Sequence, residues 1–300
     1  VPGSPPRWPA DPVPGTAGLL AVLGDLVEDV VVWPSGPLDP GTDTPARIFR
    51  RRGGSAANVA AGAALLGAPV RFLGRVGADR TGEALVAGLA ELGVDVRVQR
   101  HGTTGCVVVL VEAGGERTML PDRGAAAGYA TPDPSVVDGV TLLHLPAYGL
   151  LADPCAAAAR ALAARVRDAG GAISVDASST GVLRAYGPRR FLDDLAALRP
   201  AQLFANRDEA DLLGLPGTAP SGAVVVVKDG GAPAQVWRAG SVVHVPAEPV
   251  DAVRDTTGAG DAFAAGYLTA VLGGADPVPA TAAGHRSAAR VLAGPGAGGG

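Results

Sequence analysis

The residue types best suited to chemistry lie together in Asp255-Thr256-Thr257-Gly258-Ala259-Gly260-Asp261-Ala262-Phe263. Two glycines bracket Ala259 directly ahead of an acid, and the stretch that follows, AFAAGYLTAVL, has helix-forming composition. Gly258–Asp261 is therefore expected at a helix N-terminus, where unpaired N–H groups and the helix dipole favour an anion. An aspartate there has two readings. It can cap the helix. Alternatively it takes a proton from an attacking hydroxyl, while the backbone of Gly258, Ala259 and Gly260 neutralises a phosphoryl group in transfer. Two glycines before the acid are more than a cap needs. No G-x-x-x-x-G-K-[ST] phosphate loop occurs in the sequence.

Other polar groups fall at the ends of apolar runs. Arg52-Gly53-Gly54-Ser55-Ala56-Ala57-Asn58 puts a glycine pair before a second helix-like stretch, where it is either a tight loop or a place for ligand hydroxyls to reach the backbone. The Asn58 amide both donates and accepts hydrogen bonds. Gly24-Asp25-Leu26-Val27-Glu28-Asp29 follows the first apolar run, and Asp29 read alone is a solvated loop acid or a ligand group. Asn206-Arg207-Asp208-Glu209 ends LFAN, and Lys228-Asp229-Gly230 ends AVVVVK. Helix capping accounts for the first of these as a bare pattern. His285 lies in a helical stretch, where a lone histidine is usually structural.

Taken together and in this order, these segments resemble the signatures of ribokinase-like (PfkB-type) sugar kinases. The resemblance runs from about Leu19 to Ala297. It implies that Asp261 is the general base and that Gly258, Ala259 and Gly260 form the anion hole. It assigns Asp29, Gly53, Gly54 and Asn58 to the sugar. ATP is expected against Asn206, Lys228, Gly230, Gly258, Gly260 and His285, with Mg²⁺ ordered through water by Asn206 and Glu209. Relatives also hold a monovalent cation such as K⁺, which here would fall to Asp255, Thr257, Val291, Gly294 and Gly296. One departure stands out: Pro233 occupies the place of a second glycine in the nucleotide loop.

The elements that must position these groups alternate. Strand-like runs at 19–26, 70–77, 141–145, 172–176, 203–206 and 223–228 are interleaved with helical ones at 55–67, 81–93, 153–170, 191–198, 258–272 and 280–293. Such alternation predicts an α/β fold, a three-layer α/β/α sandwich around a mostly parallel sheet, with ligands at the carboxyl ends of the strands. Two β-rich inserts break the rhythm, and the resemblance makes them a small lid, expected at roughly 38–52 and 95–121. In relatives such a lid closes over the sugar and pairs two subunits. Residues 1–17, rich in proline, read as a flexible tail, and 18–300 as the kinase domain.

Composition excludes several classes. The net charge is −4 and 18% of residues are charged, which argues against nucleic acid as a partner. No apolar run reaches the ~18 residues of a membrane span, and the first residues lack a basic-then-apolar leader. Two cysteines without ligand spacing read as reduced thiols of a cytoplasmic protein. A dinucleotide-binding oxidoreductase would need G-x-G-x-x-G where Gly24-Asp25-Leu26 stands.

Substrate identity stays open at this stage. Ribokinases proper carry an acidic sugar ligand where this chain has Pro146, Ala147 and Tyr148. Other sugars, a sugar acid met by Arg117 or Arg123, a phosphosugar and a nucleoside all remain, as does a non-catalytic sugar-binding homologue.

Overall fold

The computed structural model describes residues 18–111, 117–251, 253 and 256–293. The tail at 1–17 lies outside this range, as do Asp255, Gly294, Gly296 and the Gly-Gly of the 103–120 hairpin.

A nine-stranded sheet runs through the centre. From its middle to one edge stand β1 (Leu19–Leu23), β4 (Val70–Val76) and β5 (Asp95–Arg100). Toward the other edge stand β8 (Val140–Pro146), β9 (Ala172–Asp176), β10 (Gln202–Asn206), β11 (Val224–Asp229), β12 (Ala232–Arg238) and β13 (Ser241–Val245). Neighbours are parallel throughout β5 to β11, and only the two terminal hairpins are antiparallel. Parallel strands buried on both faces need apolar residues at every position, which is why the strands read as unbroken runs. In β1, Leu20 and Val22 enter one core while Ala21 and Leu23 enter the other.

Helices cover both faces. One layer holds α1 (Ser55–Leu65), α2 (Arg80–Glu91), α7 (Ala259–Leu272) and α8 (Pro277–Ala293). The other holds α3 (Cys155–Asp168), α4 (Thr180–Tyr186), α5 (Pro188–Leu198) and α6 (Arg207–Leu213). Small side chains bring α1 and α7 unusually close: a Cβ added at Gly62 would lie 2.9 Å from the Cβ of Ala265. That contact joins the two helices whose first turns carry Ser55, Asn58 and Asp261. Cys106 and Cys155 are free thiols.

A second sheet of four strands stands apart, in the order β3 (Ala46–Gly53), β2 (Val27–Pro34), β6 (Thr104–Val111), β7 (Arg117–Gly124). The lid expected at 38–52 and 95–121 therefore has different bounds. Residues 95–100 are β5, the edge of the main sheet, because the chain leaving α2 completes one more parallel unit beside β4 before it departs. Residues 27–34, outside the expected bounds, form a central strand of the small sheet.

Candidate active site

The first turn of α7 settles the geometry of the acid. Gly258, in the left-handed region at φ +76°, is the N-cap and offers no side chain. Asp261 is the third residue of the helix, within its first turn, and it makes no capping bond. Its carboxylate instead accepts from the first turn of α1: Ser55 Oγ donates to Oδ1 at 2.6 Å and Asn58 Nδ2 to Oδ2 at 3.0 Å. Burial pushes Asp261 up to about 6, the nearby Asp176 charge adds to this, and the two hydrogen bonds and Lys228 oppose it. A carboxylate at that value is ionised at neutral pH yet a stronger base than a solvated one. Asn58, expected at the sugar, is thus in contact with Asp261. Ser55 was overlooked, although serine one turn before an amide at a helix start is a visible pattern.

Beneath the α7 N-terminus lies a buried charge pair. Lys228 Nζ donates to Asp176 Oδ2 at 2.9 Å, and a Cβ at Gly260 would come within 3.6 Å of that ammonium. Burial would lower the Lys228 pKa, but Asp176 and more distant Glu209 and Asp261 hold it above its ordinary value. The positive charge is thereby kept under the glycines. The ammonium also lies 6.0 Å from the ring centres of Phe204 and Phe263. Sheet register makes the arrangement: Phe204 is level with Asp176, and Asn206 with Lys228. Asp176 ends β9 much as Asn206 ends β10, and an acid closing the apolar run AISVD was the available signal for it.

Asn206 and Glu209 form a reciprocal capping box on α6. The Asn206 side chain accepts from Glu209 N at 2.9 Å, while the Glu209 carboxylate accepts from Asn206 N at 2.8 Å and Nδ2 at 2.9 Å. Glu209 is buried, and burial with the Asp176 charge raises its pKa. Tyr148, pushed up to about 12 by burial, also feels the Asp261, Asp176 and Glu209 charges, which places an aromatic hydroxyl near the site.

Across from these groups stands the base of the small sheet. Asp29 occupies the space a Gly53 side chain would need, its Oδ1 only 1.9 Å from an ideal Cβ there. Gly54 takes φ +94° and passes over the Asp25 carbonyl at 2.2 Å by the same measure. The glycine pair is thus a close approach that any side chain would block. Burial raises the Asp29 pKa against the pull of Arg51, 3.6 Å away. Arg123 is held by Asp25 through two hydrogen bonds of 2.8 Å, and Arg117 donates to Thr256 Oγ1 at 3.3 Å. Both arginines thus tie β7 to loops of the main body.

On the far side of α7, His285 packs edge-on against Phe263 at 5.2 Å, with its Nε2 buried and lacking a hydrogen-bond partner. A hollow of about 600 Å³ lies between 248–251 and the α8 residues Arg286, Ala289 and Arg290, and His285 is not among its walls. Lys228-Asp229-Gly230 opens into a tight hairpin turn, with Gly230 at φ +57° and Asp229 level with Ala232. The turn is complete before Pro233. Of the cation ligands expected, only Thr257 and Val291 fall among the described residues. No group of three or more His, Cys, Asp or Glu side chains poised for a metal occurs among the described residues.

A parallel-sheet body whose strand ends converge on a helix N-terminus, faced by a small β-sheet, defines the ribokinase-like class of α/β kinases. The chain belongs to the pfkB family of carbohydrate kinases, whose profile it matches over residues 18–300. It is 35% identical over 268 residues to a fructokinase of Klebsiella pneumoniae, covering 84% of this chain and 83% of the relative. An ATP-dependent ribose-1-phosphate kinase of Halopiger xanaduensis is 37% identical over 243 residues, with 76% and 77% covered. Among solved structures, an Escherichia coli protein described as a ribokinase II, in complex with ATP and Mg²⁺, superposes with a TM-score of 0.79 at 21% identity, covering 94% of each chain. The chain is accordingly an ATP-dependent kinase acting on a carbohydrate-like substrate. Among the described residues no helix is long and apolar enough to cross a membrane.

Proposed function

We propose that the chain transfers the terminal phosphoryl group of ATP to a hydroxyl of a small sugar-like molecule, with Asp261 as the base. The observation that carries this is the position of that carboxylate. It sits at the mouth of the α7 N-terminus, raised to about 6 and oriented by Ser55 and Asn58. Each carboxylate oxygen has two acceptor sites, so a substrate hydroxyl can bond to Asp261 while the donors stay in place. The hydroxyl oxygen attacks the terminal phosphorus as its proton passes to Asp261, the bond to the bridging oxygen breaks, and ADP leaves with that oxygen. The N–H groups after Gly258, with Lys228 beneath, meet the negative charge on the phosphoryl oxygens.

Asp29, Gly53 and Gly54 would receive the sugar hydroxyls, and lid closure would exclude competing water. Asn58 is proposed for the sugar as well, through the acceptor oxygen that its bond to Asp261 leaves unused. The nucleotide would run from Gly258 and Gly260 past Asn206, Lys228 and Gly230 toward the hollow between 248–251 and α8, with His285 proposed near its base. Mg²⁺, when bound, would offset phosphate charge. Asn206 and Glu209 fit it through water, because the buried Glu209 carboxylate keeps lone pairs beyond those used by Asn206. K⁺ is proposed at the loop carrying Thr257. A second copy of the chain would suit the outer face of the small sheet, where Ile48 is 60% and Leu120 54% exposed.

The test is Asp261→Asn, assayed by ADP release from Mg-ATP over a panel of sugars, sugar phosphates and nucleosides. Turnover is expected to fall about 10²–10⁴-fold with the fold intact by circular dichroism. Near-normal turnover in the mutant would sink the assignment of the base.

A further inference from the structure

Behind the small sheet, between its β2–β3 edge and helix α2, a groove of about 420 Å³ is lined by Arg50, Arg51, Arg52 and Arg80, with Glu28, Thr81 and Leu85 among its other walls. Glu28 is the carboxylate among its walls, and Asp29 adds a second beside Arg51. The pairings are uneven. Arg50 Nη1 donates to Glu28 Oε2 at 2.5 Å, and Arg51 faces Asp29 across the strand pair. Among the described residues neither Arg52 nor Arg80 is paired with any carboxylate within salt-bridge distance. Arg52 is the more telling of the two. Its Nε is buried and makes no hydrogen bond, an arrangement that is costly for a charged donor unless a ligand completes it. The guanidinium stays charged at any accessible pH and presents a planar fork suited to two oxygens of one anion.

Position adds meaning to this. Arg52 directly precedes the Gly53-Gly54 pair; burial lowers its pKa, and the Asp261 and Asp29 charges act in the opposite direction. An anion held by Arg52 and Arg80 would lie next to the proposed substrate pocket. A neutral sugar has no need of such a groove, whereas a phosphate monoester has three oxygens to spread over separate guanidinium edges.

We propose that the groove between β3 and α2 is an anion site, built by Arg52 and Arg80, for the phosphate group of a small phosphorylated metabolite. The proposal concerns binding, so it stands or falls apart from the assignment of Asp261 as the base. Two sources share this chemistry: the phosphate of a phosphorylated sugar substrate, or a separate phosphorylated effector.

Isothermal titration of the full chain with inorganic phosphate, and then with ribose 1-phosphate, tests it. A saturating non-hydrolysable Mg-ATP analogue is kept present, so that its terminal phosphate fills the α7 N-terminus and that site does not compete for the probe. Wild type is expected to bind, and Arg52→Gln and Arg80→Ala each to weaken binding about tenfold. Arg80 is exposed on α2, so its variant retains a readout even where Arg52→Gln fails to fold. Absence of phosphate binding in wild type, or equal binding in wild type and Arg80→Ala, overturns the site. Steady-state kinetics then separate the sources. Phosphate that competes with the phosphoryl acceptor, with KM raised in Arg80→Ala, identifies the substrate's own phosphate. Phosphate that alters kcat without competing identifies an effector.

Discussion

The two sides of the cleft are built to different standards. On the α7 side the charged groups are engaged: Asp261 with Ser55 and Asn58, Lys228 with Asp176, Glu209 with Asn206. These groups stand on strand ends and helix first turns backed by two apolar cores. On the small-sheet side the apolar cluster is slight, Val31, Val109 and Val111 with Phe49 and Val107 against them, and arginines crowd the surface. One side pairs its charged groups within itself, as a site for a reaction common to a family should. The other leaves the buried Arg52 Nε without a hydrogen bond, as a surface completed by a ligand would. The difference teaches where activity and specificity reside, and it can be broken by mutating each side in turn.

Loss of the base, Asp261→Asn, is the largest effect expected on that comparison, because it removes chemistry and leaves the scaffold. Next comes the buried pair below it. Lys228→Met would strand the Asp176 carboxylate, whose side chain is only 10% exposed. Removing one partner of such a pair costs about 3–5 kcal/mol, to be read as a lower urea midpoint with an unchanged slope. A midpoint within error of wild type would show that the α7 side is less tightly built than its contacts indicate. An Arg123→Ala change on the opposite side breaks two bonds to Asp25 that are partly open to solvent. There the expected result is a several-fold rise in KM for the phosphoryl acceptor with little change in the urea midpoint, and a large midpoint shift would contradict the division.

Much of the α7 side was legible in the sequence. Parallel strands buried on both faces must be apolar without interruption, so LLAVL, AISVD and VVVV announced the sheet, and Gly258-Ala259-Gly260-Asp261 announced the helix start that faces it. Its internal bonds were less visible. Asn58 and Ser55 lie more than 200 positions from Asp261, and only the Gly62–Ala265 approach of α1 to α7 brings them together. The small sheet was harder to bound. Asp95–Arg100 and Thr104–Val111 are both short β-rich runs, yet the first joins the main sheet and the second does not. Local pattern does not separate them, because the choice is made by which partner strand is free. The arginines of the groove fall on β3 and α2, which are adjacent only once the small sheet has folded back.

The finest test of the division concerns the Asp261 proton. Its pKa, about 6 in the folded chain against 3.8 for an ordinary aspartate, makes the native state the better proton binder between those values. The ionised base is thus a cost to stability that is felt above pH 6 and relieved as the pH falls toward 4. Activity runs the opposite way, since only the ionised form accepts a proton: kcat/KM should rise about tenfold per pH unit below 6 and level off above it. Asn58 donates one of the two hydrogen bonds that hold this value down. Asn58→Ala should therefore move the acidic limb to higher pH while leaving a plateau that is lower but still reached. Were Asn58 to serve only the sugar, KM would rise and the limb would stay where it is. A limb that moves places Asn58 with the α7 side of the cleft, and one that stays returns it to the small-sheet side.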